Sequence, residues 1–170
     1  MSDVRLRDAR DEDRKEIEKV TLSAFQEYAA LMPAHWNDYR RGILQTLADP
    51  RPAEQIVAER DGKIVGAILL YPAGTVVTLP DGKSATRPWP EMRLLAVDPA
   101  MRGRGIGLAL LRECESRARR SKAEALALHT ADVMSAAVRI YERMGFVRAP
   151  ELDFHPGDDL IVKGYLLKLS

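Results

Sequence analysis

The sequence predicts an α/β (α+β) fold, a mixed central sheet of about six to seven strands flanked by about four helices. Three observations predict it. Hydrophobic residues make up 46% of the 170 and charged residues 30%, enough for a core under a solvated surface. β-Branched runs are interleaved with stretches whose apolar residues recur at helical spacing. An Asp-Gly pair between two such runs carries the mark of a hairpin. The length suits one domain over residues 1–170.

The elements follow in order. Val4 to Asp8 alternates apolar and charged residues, as a short strand does. Asp11 is placed as a helix N-cap, with acidic Glu12 and Asp13 in the first turn. Ile17, Val20, Leu22, Ala24, Phe25 and Tyr28 continue that helix, and Pro33 ends it. Trp36 to Leu47 reads as a second helix, and the proline-rich 49–53 stretch as a loop. Gln55 to Arg60 and Lys63 to Tyr71 form two strands around Asp61-Gly62. Residues 72–90 read as a loop, or as a small exposed hairpin over 75–85 around Asp81-Gly82. Glu91 to Val97 is a strand ended by Asp98-Pro99. Ile106 to Arg120 is a helix with Leu110, Leu111, Cys114 and Ala118 facing the core. Ala125 to His129 is a strand, and Ser135 to Met144 a helix stopped by Gly145. Residues 146–148 and 160–169 are the last strands, separated by a loop at Pro156-Gly157.

Charge and cysteine content narrow the function. Twenty-six Lys and Arg against 25 Asp and Glu leave a formal charge of +1, no global field for nucleic acid or an anionic membrane. The basic group Arg117, Arg119, Arg120 and Lys122 suits the negative end of a helix dipole. The single cysteine, Cys114, cannot form an internal disulfide, and no Cys/His cluster has zinc spacing, so no metal is expected. The charged first ten residues lack the apolar core of a signal peptide, and no apolar run reaches the ~20 residues of a spanning helix. A cytoplasmic protein is expected.

The chemistry concentrates in Arg102-Gly103-Arg104-Gly105-Ile106-Gly107, which follows a strand and opens a helix. Glycine lets a ligand approach the backbone, and the first N–H groups of a helix lack internal partners at the positive end of the dipole. Together they suit a pyrophosphate. A dinucleotide fingerprint needs a third glycine where Leu108 stands, and a Walker A loop needs Gly-Lys-Ser/Thr. What remains is Arg-x-x-Gly-x-Gly.

That spacing, Arg102-x-x-Gly105-x-Gly107, resembles the Gln/Arg-x-x-Gly-x-Gly/Ala signature of the GNAT acetyltransferases. Leu95-Ala96-Val97-Asp98-Pro99 before it, and Leu108-Ala109-Leu110-Leu111 after it, resemble that family's strand and helix. Tyr141-Glu142-Arg143-Met144-Gly145-Phe146 resembles its Tyr-x-x-x-Gly-Phe. The resemblance is specific over about 91–148 and elsewhere rests on element order.

The resemblance implies a GNAT-like fold and an N-acetyltransferase with acetyl-CoA as co-substrate. It implies that backbone amides of Arg102, Gly103, Arg104, Gly105, Ile106, Gly107 and Leu108 cradle the pyrophosphate. Leu95, Ala96 and Val97 would pair with the pantetheine arm as an added strand, with the Val97 N–H polarising the thioester carbonyl. Tyr141 takes the place of the general acid, since a phenol of pKa about 10 can protonate a developing thiolate. An aromatic packed between helix and sheet explains Tyr141 equally. Glu91, eleven residues before Arg102, has the spacing of the catalytic glutamate in the histone-acetylating branch. A pairing with Arg93 would instead lower its pKa and weaken it as a base. One departure is Met134, where the family often carries Asn. His129, His35 and His155 read as hydrogen-bonded structural residues.

The acceptor is expected to be a small-molecule or peptide amine, and the resemblance admits a homodimer. Phe25, Tyr28, Met32, His35, Trp36, Tyr39, the 72–90 loop and the segment from Asp153 to Asp159 border the acceptor in such a fold. Two other functions remain open: a non-catalytic acyl-CoA-binding or regulatory module, and a dinucleotide-binding oxidoreductase module.

Overall fold

The computed structural model describes residues 3–79, 81–157 and 160–169. In chain order the strands and α-helices are β1 (Arg5–Asp8), α1 (Arg14–Phe25), α2 (Tyr28–Leu31), α3 (Trp36–Ala48), β2 (Glu54–Arg60), β3 (Lys63–Tyr71), β4 (Thr75–Thr78), β5 (Ser84–Arg87), β6 (Glu91–Val97), α4 (Ile106–Arg120), β7 (Ala125–Thr130), α5 (Ser135–Met144), β8 (Val147–Arg148), β9 (Phe154–Gly157) and β10 (Leu160–Lys168). The class is the expected mixed α/β. Among the described residues there are ten strands and five α-helices, and the one-turn α2 leaves four longer helices. Beyond the seven expected strands stand β4 and β5, the hairpin weighed as an alternative to a loop, and β9, too brief for periodicity to reveal.

The chain divides into two compact units, residues 3–70 with 94–113, and 71–93 with 114–169. In the first, the strand order is β1-β2-β3-β6, with β1, β2 and β3 antiparallel. The β2–β3 hairpin turns at Asp61-Gly62, as the sequence indicates. Ile56, Val57 and Ala58 of β2 are all fully buried, so both faces of that strand are covered. Ile17, Val20, Ala24 and Phe25 of α1, Ile43 and Leu47 of α3, and Ile106, Leu110 and Leu111 of α4 complete this core.

The entry to α1 differs from the expectation. Residues Asp11–Asp13 form a 3-10 turn, and Asp13 rather than Asp11 does the capping. Its carboxylate accepts the Arg10 N–H at 2.7 Å and two hydrogen bonds from the Arg7 guanidinium. Arg7 also reaches Glu59 of β2 at 2.8 Å, so one half-buried arginine ties β1, β2 and the helix entry together. Because that arginine draws on the Asp13 carboxylate from two sides, burial of the acid is compensated.

In the second unit the order is β6-β7-β10-β8, with β9 also on β10 and β4–β5 a separate hairpin. β6 and β7 are parallel, pairing Glu91 with Ala127 and Met92 with Leu128. β7 and β10 are antiparallel, with Gly164 opposite His129. The Pro156-Gly157 pair is not a loop: it closes β9, whose Phe154 and Gly157 pair with Val162 and Leu160. Proline is compatible with a strand paired along one side, because its missing N–H then faces away from the ladder. Asp158 and Asp159 lie outside the described residues. Cys114 is fully buried, as its helix position implies.

β6 runs through both units. It breaks regular strand geometry at Leu94, whose φ is +53°. A non-glycine residue in the left-handed region is uncommon and costs of order 1 kcal/mol or more. It re-aims the backbone N–H and C=O groups on either side of it.

Candidate active site

The glycine segment turns sharply into a helix and leaves its backbone exposed. Pro99–Met101 forms a short 3-10 turn capped by Asp98, whose carboxylate accepts the Ala100 N–H at 3.0 Å. The chain then passes through Gly103 at φ +76° and Gly105 at φ +79°. These φ values explain both glycines, and a Cβ at either would meet no protein atom within 4 Å. The space beside them is therefore open. The Gly105 carbonyl accepts from Ala109 at 3.0 Å and starts α4. The N–H groups of Ile106, Gly107 and Leu108 then have no acceptor inside the helix. Arg102, Gly103, Arg104 and Gly105 are exposed.

The Arg102 side chain has another task. Its guanidinium donates to Glu27 at 2.9 Å and to the Ala24 carbonyl at 3.0 Å, at the C-terminal end of α1. It pins the loop to the end of α1. Leu95 and Val97 are half-buried and Ala96 buried, the alternation of a strand with one open face. The nearest side chains to a Cβ added at Gly107 would be those of Val97, at 3.6 Å, and Leu95, at 4.0 Å.

In the second unit, Glu91 is only 2% exposed. One of its oxygens meets His129 Nδ1, and the other accepts from Arg93 Nε at 3.2 Å. The Arg93 pairing weighed from the sequence is present, and His129, read there as a hydrogen-bonded structural residue, is bonded through both ring nitrogens. The imidazole Nε2 lies 2.8 Å from the Leu152 carbonyl. A carbonyl only accepts, so Nε2 carries a hydrogen. Nδ1 and the Glu91 carboxyl are joined by the other hydrogen bond of the ring. Burial works against the Glu91 charge. The His129 hydrogen bond and charge, with the charges of Arg93 and Arg87, outweigh burial and hold the carboxyl below its usual range.

Leu152 is set by a glycine. A Cβ on Gly164 would sit 2.4 Å from Leu152 Cβ and 3.0 Å from the Ala149 carbonyl, so only glycine permits this approach. Arg148 and Asp153 brace the same segment. Asp153 accepts the Gly164 N–H at 2.7 Å and pairs with Arg148 at 2.7 Å, which takes its carboxyl down to about 2. The ring of Phe154 stands 5.3 Å from that of His129.

Tyr141 is buried at the end of α5, and its ring meets Phe146 edge-on at 6.0 Å. The motif that contains it is a helix stop. Gly145 has φ +102° and its N–H bonds back to the Glu142 carbonyl, while the Phe146 N–H reaches the Tyr141 carbonyl. That pair of bonds, with an apolar contact across them, is a Schellman motif. The tyrosine–glycine–phenylalanine spacing thus has a structural cause independent of chemistry. Met134, at the expected asparagine position, precedes α5 and accepts from the Thr130 hydroxyl through sulfur at 3.6 Å. Asp132 pairs with Lys163 at 2.7 Å. In the first unit, Phe25, Tyr28, Tyr39 and Trp36 form one aromatic chain. His155 is exposed in β9. Among the described residues no group of three or more His, Cys, Asp and Glu is placed to hold a metal, and no helix is long and apolar enough to cross a membrane.

A glycine loop at a helix N-terminus, beside a strand with one open face, is an arrangement suited to a phosphate-bearing ligand. The acetyltransferase (GNAT) family matches residues 17–146, and the chain belongs to that family. It is 32% identical over 144 residues to a mycothiol acetyltransferase of Propionibacterium freudenreichii subsp. shermanii, covering 84% of this chain. The chain spans 43% of that relative's length. Among solved structures, a GNAT-family acetyltransferase from Staphylococcus aureus Mu50 superposes with a TM-score of 0.72 at 17% identity, covering 99% of this chain and all of that one. A GNAT-family acetyltransferase from Brucella melitensis, solved in complex with acetyl-CoA, gives a TM-score of 0.61 at 24% identity, covering 100% and 90%. These likenesses carry the fold.

Proposed function

We propose that the chain is an N-acetyltransferase, with acetyl-CoA as acyl donor and a primary amine as acceptor. The observation that carries this is the pair of left-handed glycines, Gly103 and Gly105, with open space beside them and the first N–H groups of α4 beyond. A cradle of this kind fits a pyrophosphate. Acetyl-CoA supplies the activated acyl group as a thioester.

The chain's own residues would act as follows. Backbone N–H groups of Arg102 to Leu108 hold the pyrophosphate, and Arg102 keeps the loop in place through Glu27 and the Ala24 carbonyl. Leu95, Ala96 and Val97 offer strand edges to amide groups, and the Val97 N–H serves as the hydrogen-bond donor at the reacting carbonyl. Tyr141 delivers the proton that the departing thiolate needs. Glu91 receives the amine proton through water rather than by contact, because both of its oxygens are engaged.

The mycothiol acetyltransferase is more than twice as long as the segment it shares, so its acceptor is not carried over. The test is release of coenzyme A thiol from acetyl-CoA across a panel of amines, alongside calorimetric titration of coenzyme A. Amine-dependent release with the wild-type chain is expected. Binding of coenzyme A without release for any amine would favour the second reading, a non-catalytic acyl-CoA-binding module. The full engagement of Glu91 in the interior is what keeps that reading in play.

A further inference from the structure

Charge around Glu91 does not balance. Three guanidiniums, of Arg87, Arg93 and Arg148, stand in this cluster with two carboxylates, of Glu91 and Asp153. Asp153 is committed to Arg148 in a two-fold contact, through Oδ1 and Oδ2 at 2.7 and 2.8 Å. Glu91 is committed to His129 and, through a single bond, to Arg93 Nε. Arg87 is left over. Its Nε is buried and has no hydrogen-bond partner among the described residues. A buried donor without an acceptor costs about 1–3 kcal/mol, so a site that keeps one is ready for a ligand acceptor.

Both arginines are held in place by aromatic rings. The Arg93 guanidinium lies 5.3 Å from the centre of the Tyr71 ring, and that of Arg87 lies 5.9 Å from the centre of the Phe154 ring. Cation–π contact fixes a planar guanidinium while leaving its N–H edge free to donate. Phe154 also packs on His129, so the arginines, the imidazole and Glu91 form one connected group.

We propose that Arg87 and Arg93 form an anion-recognition site that selects an acceptor amine carrying a carboxylate. The ligand class follows from charge and shape. The surplus is positive, and an anion offsets it. A planar carboxylate matches the fork of a guanidinium, and burial makes the match worth more than at the surface. Specificity would be sharp, because an amide in place of the carboxylate leaves the arginines uncompensated. This rests on the acetyltransferase reading for its substrate, but not for the anion site itself.

The test compares matched pairs: L-phenylalanine with L-phenylalaninamide, L-methionine with L-methioninamide, and γ-aminobutyrate with its amide. O-phosphoethanolamine serves as the phosphate arm. With the wild-type chain, the best acid is expected to exceed its amide in kcat/KM by at least about tenfold, a difference of 1.4 kcal/mol. Arg87→Gln and Arg93→Gln are each expected to bring that ratio to near one, while coenzyme A affinity measured by calorimetry holds. Arg87→Gln is the cleaner variant, since the Arg87 Nε breaks no hydrogen bond when it is lost. Amides used as well as acids, a ratio unchanged in both variants, or preference for O-phosphoethanolamine would overturn the proposal. Saturation-transfer NMR of the same acids with the protein reads the site without turnover. Carboxylate binding that Arg87→Gln abolishes would uphold the anion site even if no amine were acetylated, and absent binding would sink it. Failure of coenzyme A to bind would instead count against the acetyltransferase reading.

Discussion

At the scale of single residues, Glu91 decides the most. Its burial is tolerable only because His129 and Arg93 answer it. Glu91→Ala leaves an uncompensated charge in the interior and is expected to cost about 3–5 kcal/mol, visible as a drop in the thermal midpoint. Glu91→Gln, which keeps the shape, should cost less. The pH dependence has a definite sign. The folded Glu91 carboxyl sits below its ordinary value of 4.5, so the unfolded chain binds its proton first. The stability that Glu91 contributes is fully present above pH 4.5 and is lost as pH falls through the folded value. The gap in stability between wild type and Glu91→Gln should therefore shrink in acid; a gap that widened there would contradict the assignment. Tyr141 makes a second residue-scale prediction. Tyr141→Phe keeps the ring contact with Phe146, so the fold should hold while kcat falls about 100-fold or more. Wild-type turnover in that variant would remove the acid role and leave the tyrosine as packing.

These residues were unequally legible. The position of Glu91 is readable from its spacing to Arg102, and its pairing with Arg93 from the strand alternation. Its pairing with His129 joins residues 38 apart in sequence across parallel strands, and no local pattern records it. Leu94 at φ +53° was invisible for a different reason: leucine is a poor left-handed residue, so the strain is imposed by the fold and not by the side chain.

At the scale of elements, α4 and α5 show what sequence reads well. Each has its apolar spacing, a glycine at one end and a long run, and each begins and ends where the pattern says. β9 shows what it reads poorly, since a strand of four residues ending in Pro-Gly looks like a turn until β10 lies beside it. The segment from Ala149 to Leu152 makes the element-scale prediction. It rests on the bare backbone of Gly164 and offers the Leu152 carbonyl to His129. Gly164→Ala must push it away, because 2.4 Å between Cβ atoms cannot persist. An overpacking cost of about 1–3 kcal/mol is expected, with weakened protection of the His129 ring N–H from solvent exchange. An alanine variant as stable as wild type, with the His129 proton signal unmoved, would show that the segment yields freely.

At the scale of the whole molecule, the central claim is that the chain takes acetyl-CoA through the Gly103–Gly105 loop and passes its acetyl group to an amine. Ligand that binds only the folded chain raises stability by mass action, about 2.7 kcal/mol at a concentration 100 times Kd. Acetyl-CoA should therefore raise the thermal midpoint and NAD should not. Gly105→Val forces a β-branched residue to φ +79°, at a cost of at least about 1–2 kcal/mol, and should weaken the acetyl-CoA effect. The most direct single measurement is thiol release from acetyl-CoA over an amine panel, with wild type and Gly105→Val side by side. Release is expected to require both acetyl-CoA and an amine, and to fall at least about tenfold in the variant. Amine-dependent release that Gly105→Val leaves at the wild-type rate, or a chain stabilised by NAD and not by acetyl-CoA, would contradict it.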